Sequence, residues 1–500
     1  DDIDAELSSG QCVQHCELSS VPVLTDFAKT SISEIKRVVM NSPTSSCELD
    51  PIPTALLKEC IDDFAPYITD FVNKSLRCAS FPASMQQALV KPLLKNPNLD
   101  RQDFASYRPV ANLSFLSKVI ERIVSARLQS FLNDNNLQDN FQSAYREKHS
   151  VETALLRVQN DILTEMDSGK VTGLILLDLS SAFDTVDHVI LLERLQSMGI
   201  GGQAHQWLTS YLSNRSQRVC VRSAVSKTVH LGFSVPQGSV LGPQLFNIYT
   251  LPLHDIIKRH NLKHHMYADD TQIYFSCSPT QGEVDAWIAR VEACISDIRN
   301  WMKENYLKLN DDKSQFVMLG SKQQLAKSVT PNLNIGSSSI TPEKKVRNLG
   351  VIFDSNMTME SQVSSSVKLA IHSLRNLRAI RKYLTTKAAE QLVHAFVTSR
   401  IDCCNSLLYG IPMSQVKRLQ VVQNAAARLV TYTRKFAHIT PVLKSLHWLP
   451  VEHRLTYKIL LITYRALKFS SPQYISSLLN FRKPGRSGLR SANTSTLIIP

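Results

Sequence analysis

The chain has 500 residues, 43% apolar and 20% charged, which is enough to bury large cores in more than one domain and excludes a wholly disordered chain. Its formal charge of +13 is unevenly placed: from Lys368 to Pro500 there are 21 Lys/Arg against three acids, a net +18, and the residues before Lys368 carry −5. A polyanionic partner is therefore expected for the C-terminal quarter.

No run of about 18 apolar residues occurs, so no membrane span is expected. The ten cysteines are scattered, which reads as reduced thiols of cytosol or nucleus. Cys12, His15 and Cys16 make half of a zinc-ligand pattern, but no second pair follows at finger spacing, so no zinc site is expected there. The chain begins on Asp1 with no signal-peptide pattern and reads as a fragment.

Residues 1–50 are polar and serine-rich and read as a linker. Short helices are predicted over 54–60 and 67–76, and a strand over 88–95. The polar loop 96–107 then leads to Arg108-Pro109. Leu116, Val119, Ile120, Ile123, Val124 and Leu128 recur at helical spacing and predict a helix over 115–133. A second helix, 151–168, ends at Gly169. Residues 171–179 form a continuous apolar strand of the kind buried on both faces. Helices over 188–198 and 204–212 precede a hairpin (217–225 and 227–233), a turn at 235–238 and one helix over 241–256. Strands at 263–267 and 272–276 flank Asp269-Asp270. A helix (284–304), a strand (314–319) and a hairpin (346–353) follow. From Met359 to Leu479 the pattern is mostly helical, and the tail is rich in Ser, Gly and Arg.

Three aspartates stand out by position. Asp178 ends the apolar strand, and Asp269 and Asp270 occupy a short turn between two apolar strands. A carboxylate at the end of a buried strand is costly unless paired, hydrogen-bonded or bound to metal. Clustered acids repel unless a cation neutralises them, and oxygen-only ligands suit Mg²⁺. Two such ions would clamp an in-line phosphoryl transfer. Between the acids lies Pro236-Gln237-Gly238-Ser239-Val240-Leu241-Gly242-Pro243, where two glycines at a helix entry let backbone approach a nucleotide closely. A turn aspartate pair or a helix cap explains each acid separately; the joint pattern does not reduce to that.

The order of these blocks resembles reverse transcriptases: Asp178 to His188 (DLSSAFDTVDH), then Pro236 to Pro243, then Tyr267-Ala268-Asp269-Asp270. The wording is similar to non-LTR (LINE-type) retrotransposon polyproteins, in particular the jockey-like and chicken-repeat-like groups. Further matching blocks are Tyr107 to Leu113, Asn140 to Tyr145, Leu307 to Ser314 and Leu349 to Phe353.

The resemblance implies an α+β right hand, with fingers and palm over 51–350, including a palm β-sheet, and a thumb with a basic helical C-terminal region over 351–500. It implies an RNA-directed DNA polymerase that extends a DNA 3′-OH on an RNA template in target-primed fashion. Its partners would be RNA template, DNA primer or target, and dNTPs, and its location nuclear, with a cytoplasmic ribonucleoprotein stage. The catalytic carboxylates would be Asp178, Asp269 and Asp270, holding two Mg²⁺ (Mn²⁺ as substitute) with the Leu179 carbonyl. Phe183 would be the aromatic gate against a ribose 2′-OH. Gln237 and Gly238 would contact nucleotide and template, and Lys95 and Arg108 the triphosphate, with Lys91 competing for the role of Lys95. Lys313 would protonate the leaving pyrophosphate. His188, His264 and His265 are assigned no chemistry and are expected to pack or cap. No endonuclease domain is expected before Asp50 and no RNase H-like domain downstream. A catalytically unused, nucleic-acid-binding transposon remnant is the alternative.

Lys368, Arg375, Arg378 and Lys382 are spaced seven, three and four apart and share one predicted helix face. With Lys417 and Arg418 they are the candidates to track the phosphates of a template–primer duplex.

Overall fold

The computed structural model describes residues 22–45, 47–180, 183–328, 331–336, 338–481 and 497–498. The Cys12, His15 and Cys16 cluster and residues 482–496 of the tail lie outside them.

In chain order, Ser31 caps helix α1 (Ile32–Met40), its hydroxyl accepting from the Glu34 N–H at 3.2 Å. Helices α2 (Thr54–Glu59) and α3 (Ile61–Arg77) lead to strands β1 (Gln87–Leu94) and β2 (Tyr107–Asn112) and helices α4 (Phe115–Asp134) and α5 (Val151–Asp167). The apolar run after α5 forms β3 (Val171–Leu177), breaks at Asp178, and resumes as β4 (Leu179–Ser180). Helices α6 (His188–Ser197) and α7 (Gly202–Leu212) precede β5 (Ser216–Val221), β6 (Ala224–Val225) and β7 (Val229–His230).

The single helix expected over 241–256 is two, α8 (Gly242–Tyr249) and α9 (Pro252–Arg259). Pro252 lacks the N–H that a continuous helix needs and instead sits in the first turn of α9, where that donor would be unpaired anyway. Then come β8 (Lys263–Tyr267), β9 (Asp270–Cys277), α10 (Gln281–Glu304), β10 (Lys308–Leu309), β11 (Gln315–Leu319), α11 (Lys322–Lys327), β12 (Leu333–Ile335), β13 (Ser338–Ile340), β14 (Lys345–Asn348) and β15 (Val351–Asp354). The remaining described elements are helical: α12 (Glu360–Ile380), α13 (Thr386–Val393), α14 (Ser399–Asp402), α15 (Met413–Thr431), α16 (Ile439–Ser445), α17 (Val451–Phe469) and α18 (Gln473–Ser476). The fold is α+β, as expected.

The chain divides into two discontinuous units. One contains Asp1–Gln138 and Phe183–Tyr249, the other Asp139–Ala182 and Thr250–Pro500. Residue 350, the expected boundary, falls in the turn of the β14–β15 hairpin, where Asn348 pairs with Val351.

In the first unit, β1 is central, antiparallel to β2 and parallel to β5. Both β6 and β7 pair antiparallel with β5, so the expected hairpin is a three-strand arrangement. Phe81 meets Trp207 and Tyr211 edge-on at 5.6 and 5.1 Å, and those two rings stack at 5.7 Å. The described residues of the expected linker, 22–45 and 47–50, belong to this unit. Ile35 and Val39, one helical turn apart on α1, are fully buried. Arg127 of α4 grips Glu34 at 2.5 and 2.7 Å and donates to the Ala28 and Lys29 carbonyls. The polar composition of residues 22–50 conceals these few anchoring side chains.

The second unit is built on an antiparallel sheet of order β11-β3-β9-β8. β3 is buried along nearly its whole length, as a two-faced core strand should be. Gly173 in β3 makes room for α10: a Cβ there would lie 2.0 Å from the Trp287 ring. Elsewhere in this unit Leu155 and Ile162 of α5, Leu174, Tyr274, Val317 and Phe353 join α12 and α15 in one apolar cluster. Arg381, buried just after α12, donates to the Leu429 and Val430 carbonyls at 2.8 and 2.7 Å, so it satisfies the open C-terminal end of α15.

Candidate active site

The register of the second sheet brings Asp178 to the Asp269-Asp270 turn. Leu177 at the end of β3 pairs with Thr271, and Asp270 pairs with Tyr267 across the tight β8–β9 turn. Asp178 therefore follows Leu177 where Asp270 precedes Thr271, as cross-strand neighbours. Ala268, in the turn, has φ +57°. Its backbone is held from outside the hairpin by buried Gln142. Gln142 Oε1 accepts from the Ala268 N–H at 3.1 Å, and its Nε2 donates to the Ala268 carbonyl at 3.4 Å. Phe141-Gln142-Ser143 also runs as a parallel bridge along β8, through Met266 N–H to Phe141 O at 2.8 Å and Ser143 N–H to Met266 O at 3.0 Å.

The acids feel one another. The Asp270 carboxyl is pushed up to about 6, first by desolvation, then by the charges of Asp269 and Asp178; Lys313 pulls the other way. Lys313 Nζ lies 3.1 Å from Asp178 Oδ2, and Asn310 Nδ2 approaches the same oxygen at 3.4 Å. The Asn310 N–H donates to the Asp178 carbonyl at 2.9 Å, which makes Leu179–Leu309 the non-hydrogen-bonded pair of the β4–β10 ladder. The Leu179 carbonyl accordingly turns away from β10. A pocket of about 180 Å³ is lined by Asp178, Asp270, Lys313, Gln272 and Arg347, among others. A cluster of mutually repelling oxygen ligands fits a hard divalent cation.

The first unit holds the other expected nucleotide contacts. Half-buried Phe183 stacks on fully buried Phe246 at 4.5 Å and 24°, and its carbonyl accepts from the Val235 N–H at 3.1 Å. Gln237 aims its amide at both oxygens of Asp184, each at 3.3 Å, while its carbonyl accepts from the Ala111 N–H at 2.7 Å. Burial raises the Asp184 carboxyl above its ordinary range, and the Gln237 hydrogen bond opposes this. Gly238 has φ +114°, and a Cβ there would lie 2.6 Å from the Ala111 carbonyl, so the turn requires glycine. Arg108 is exposed on β2 opposite Leu93. Lys95, just past β1, donates to the Ala105 carbonyl at 2.8 Å, and Lys91 pairs with Glu48 at 2.9 Å.

Lys368, Arg375, Arg378, Lys382 and Lys417 are exposed. Lys382 lies beyond α12, in the 3-10 turn Arg381–Tyr383. Arg418 is half-buried and spends its guanidinium on Gln415 and Ser364, at 2.7 and 2.9 Å. Other cations of this region are structural: Arg454 pairs with Asp402, Lys458 with Glu152, and Arg381 caps α15. The +18 of the C-terminal quarter is thus only partly available to a ligand.

His188 Nε2 lies 2.8 Å from the Ser234 carbonyl, and His265 Nε2 2.8 Å from Ser143 Oγ; His264, expected with them to pack or cap, instead meets Asp139 and His254. Gln142 and Glu121 were not legible as site residues. Glu121, fully buried in α4, accepts from the Val240 and Leu241 N–H groups at 2.7 and 3.1 Å, at the entry to α8. A buried acid inside an apolar helical stripe was the one available signal.

Among the described residues no helix is long and apolar enough to cross a membrane. The profile of the reverse transcriptase (RNA-dependent DNA polymerase) family matches residues 94–353. Among curated proteins, the chain is 25% identical over 437 residues to a probable RNA-directed DNA polymerase from transposon BS of Drosophila melanogaster, covering 85% of this chain and 47% of that protein. It is 26% identical over 442 residues to the corresponding X-element protein of the same species, covering 85% and 46%. It is 26% identical over 423 residues to the RNA-directed DNA polymerase from mobile element jockey of Drosophila funebris, covering 83% and 44%. The chain spans about half the length of the curated relatives it matches.

Proposed function

The chain belongs to the reverse transcriptase (RNA-dependent DNA polymerase) family, and from that premise we propose that it extends a DNA 3′-OH on an RNA template by two-metal phosphoryl transfer. We further propose target-primed synthesis in the nucleus, as the jockey-like relationship suggests, with a right-hand arrangement of fingers, palm and thumb. The observation that carries the reading is the register of β3 against β8–β9, which sets Asp178 beside the Asp269-Asp270 turn.

Asp178, Asp269 and Asp270 would hold the divalent ions, with the Leu179 carbonyl as a further oxygen. Mg²⁺, or Mn²⁺ in its place, supplies acidification of the primer hydroxyl and neutralisation of the pyrophosphate charge when bound. In this reading Lys313, which pairs with Asp178, carries the proton for the leaving group. Phe183 screens the sugar, its ring stiffened by Phe246. Gln237 and Gly238 meet nucleotide and template, and Arg108 and Lys95 bind the triphosphate. The exposed cations of α12, with Lys382 and Lys417, follow the duplex phosphates; Arg418 contributes less, because its donors are already engaged.

The test is primer extension on poly(rA)/oligo(dT) with Mg²⁺, comparing the unaltered chain with a variant carrying both Asp269→Asn and Asp270→Asn. Extension by the first and none by the second, with template binding retained, is expected. Extension that survives the double change overturns the carboxylate assignment. Binding without extension by the unaltered chain favours a remnant that has lost its chemistry.

A further inference from the structure

Asp139, His254 and His264 meet in the second unit, remote in sequence from one another. Asp139 opens the segment that runs beside β8, His254 lies on α9 and His264 on β8. One ligand atom from each lies within 4.8 Å of the others. His254 Nδ1 is 3.1 Å from Asp139 Oδ1, His264 Nε2 is 3.2 Å from Asp139 Oδ2, and the two ring nitrogens are 3.0 Å apart. Asp139 and His264 are nearly inaccessible, and His254 is partly open.

While Asp139 is ionised, no set of protons satisfies these three contacts. A carboxylate oxygen only accepts, and each imidazole nitrogen either donates or accepts. If both nitrogens carry hydrogens for Asp139, the two N–H groups confront each other at 3.0 Å. If one is bare to accept from its neighbour, its lone pair faces a carboxylate oxygen. One edge is repulsive in every case, inside a region where unmatched polar groups are expensive. A cation at the centre removes the conflict, because both ring nitrogens and the carboxylate then present lone pairs to it. Tetrahedral zinc with ligands at about 2.0–2.1 Å sets them about 3.3–3.4 Å apart; the ring nitrogens are 3.0 Å apart, each nitrogen faces its own Asp139 oxygen, and one atom from each residue lies within 4.8 Å of the others, so a small shift closes the set on an ion.

We propose that Asp139, His254 and His264 form a zinc site separate from the aspartate cluster, with water in the fourth position on the open side of His254. Two imidazoles and one carboxylate are a borderline donor set, suited to Zn²⁺ and poorly suited to Mg²⁺. Its effect is mechanical. It ties α9 and the strand-like Phe141-Gln142-Ser143 segment to β8, whose far end carries the Asp269-Asp270 turn.

The test is metal analysis of chain purified without chelator, beside His254→Asn, His264→Asn and the neighbouring control His260→Asn, whose ring pairs with Asp297 instead. Stoichiometric zinc is expected in the unaltered chain and the control, with at least a tenfold loss in the other two. Because a buried substitution can disturb folding, Co²⁺ is also exchanged into the unaltered chain, where the intense visible bands of a tetrahedral site are expected. A variant with Cys12→Ser and Cys16→Ser should keep its zinc. Absence of both zinc and cobalt bands in the unaltered chain, zinc retained by both histidine variants, or zinc lost only with Cys12 and Cys16, overturns the proposal.

Discussion

Gln142 holds Ala268 by both ends of its amide, accepting from the N–H and donating to the carbonyl of the residue that precedes the paired aspartates. The same Oε1 accepts from the Ala144 N–H at 3.0 Å, so the side chain is itself fixed. A turn whose conformation is set from outside the hairpin is sensitive to its brace. Gln142→Leu is expected to lower kcat for primer extension about tenfold or more while the KM for dNTP changes little, because positioning and not binding is lost. Gln142→Glu keeps the acceptor and loses the donor, and should fall between. Steady-state extension rates check this; unchanged kcat in the leucine variant removes the positioning role.

The stack of Phe183 on Phe246 separates two roles for one ring. If Phe183 guards against a ribose 2′-OH, Phe183→Val raises the ratio of ribonucleotide to deoxynucleotide incorporation by about tenfold or more, corresponding to about 1.4 kcal/mol of lost discrimination. If the ring only packs, the same change lowers thermal stability and leaves sugar selectivity where it was. Competitive incorporation assays with a parallel melting curve decide between the two.

Glu121 is a buried acceptor serving four donors: the Val240 and Leu241 N–H groups, the Ser117 hydroxyl and the Tyr211 phenol. Beside it, burial and the Glu121 charge push the Tyr211 phenol above its ordinary range. Glu121→Ala strands two backbone donors at the entry to α8, and a loss on the order of 3 kcal/mol is expected. Urea denaturation measures it. Glu121→Gln should cost less, since one oxygen remains to accept.

His149 gives the fold a dependence on acid. Its ring lies against Tyr474, with Nδ1 2.8 Å from the Glu147 carbonyl, and burial, aided by Arg146, lowers it to about 4. The unfolded chain, with His149 near its ordinary 6.5, binds the proton first. This contribution is therefore complete above about pH 6.5, declines as the pH falls toward 4, and is constant below that. His149→Gln should flatten the slope of Tm against pH inside that window and leave it unaltered outside.

The separate blocks around Asp178, Pro236 and Asp269 were readable because each is contiguous, and their order carried the family. Most helices and core strands were readable from apolar periodicity, and β3 from its unbroken run. What escaped reading depends on distant partners. Glu121 finds Val240 and Gln142 finds Ala268 across more than a hundred residues, and no local pattern marks such a pair. The 241–256 region misled for the opposite reason: its periodicity runs on through Pro252, and only backbone geometry ends one helix and starts the next. Residues 22–50 misled because a few buried side chains and Arg127 suffice to fix a segment whose average composition is that of a linker.

Helix α18 reaches back into the sheet that carries the aspartates. The Tyr474 hydroxyl lies 2.8 Å from Ser143 Oγ, which lies 2.8 Å from His265 in the middle of β8, and 2.9 Å from Thr153 on α5. A reading frame interrupted between Asp270 and Tyr474 would leave Asp178, Asp269 and Asp270 in the translated product, yet that product would lack the hydroxyl that completes this buried chain. On the proposed function, decay of a gene copy from its 3′ side would remove this support of the aspartate-bearing sheet before the erosion reached the codons for the aspartates themselves.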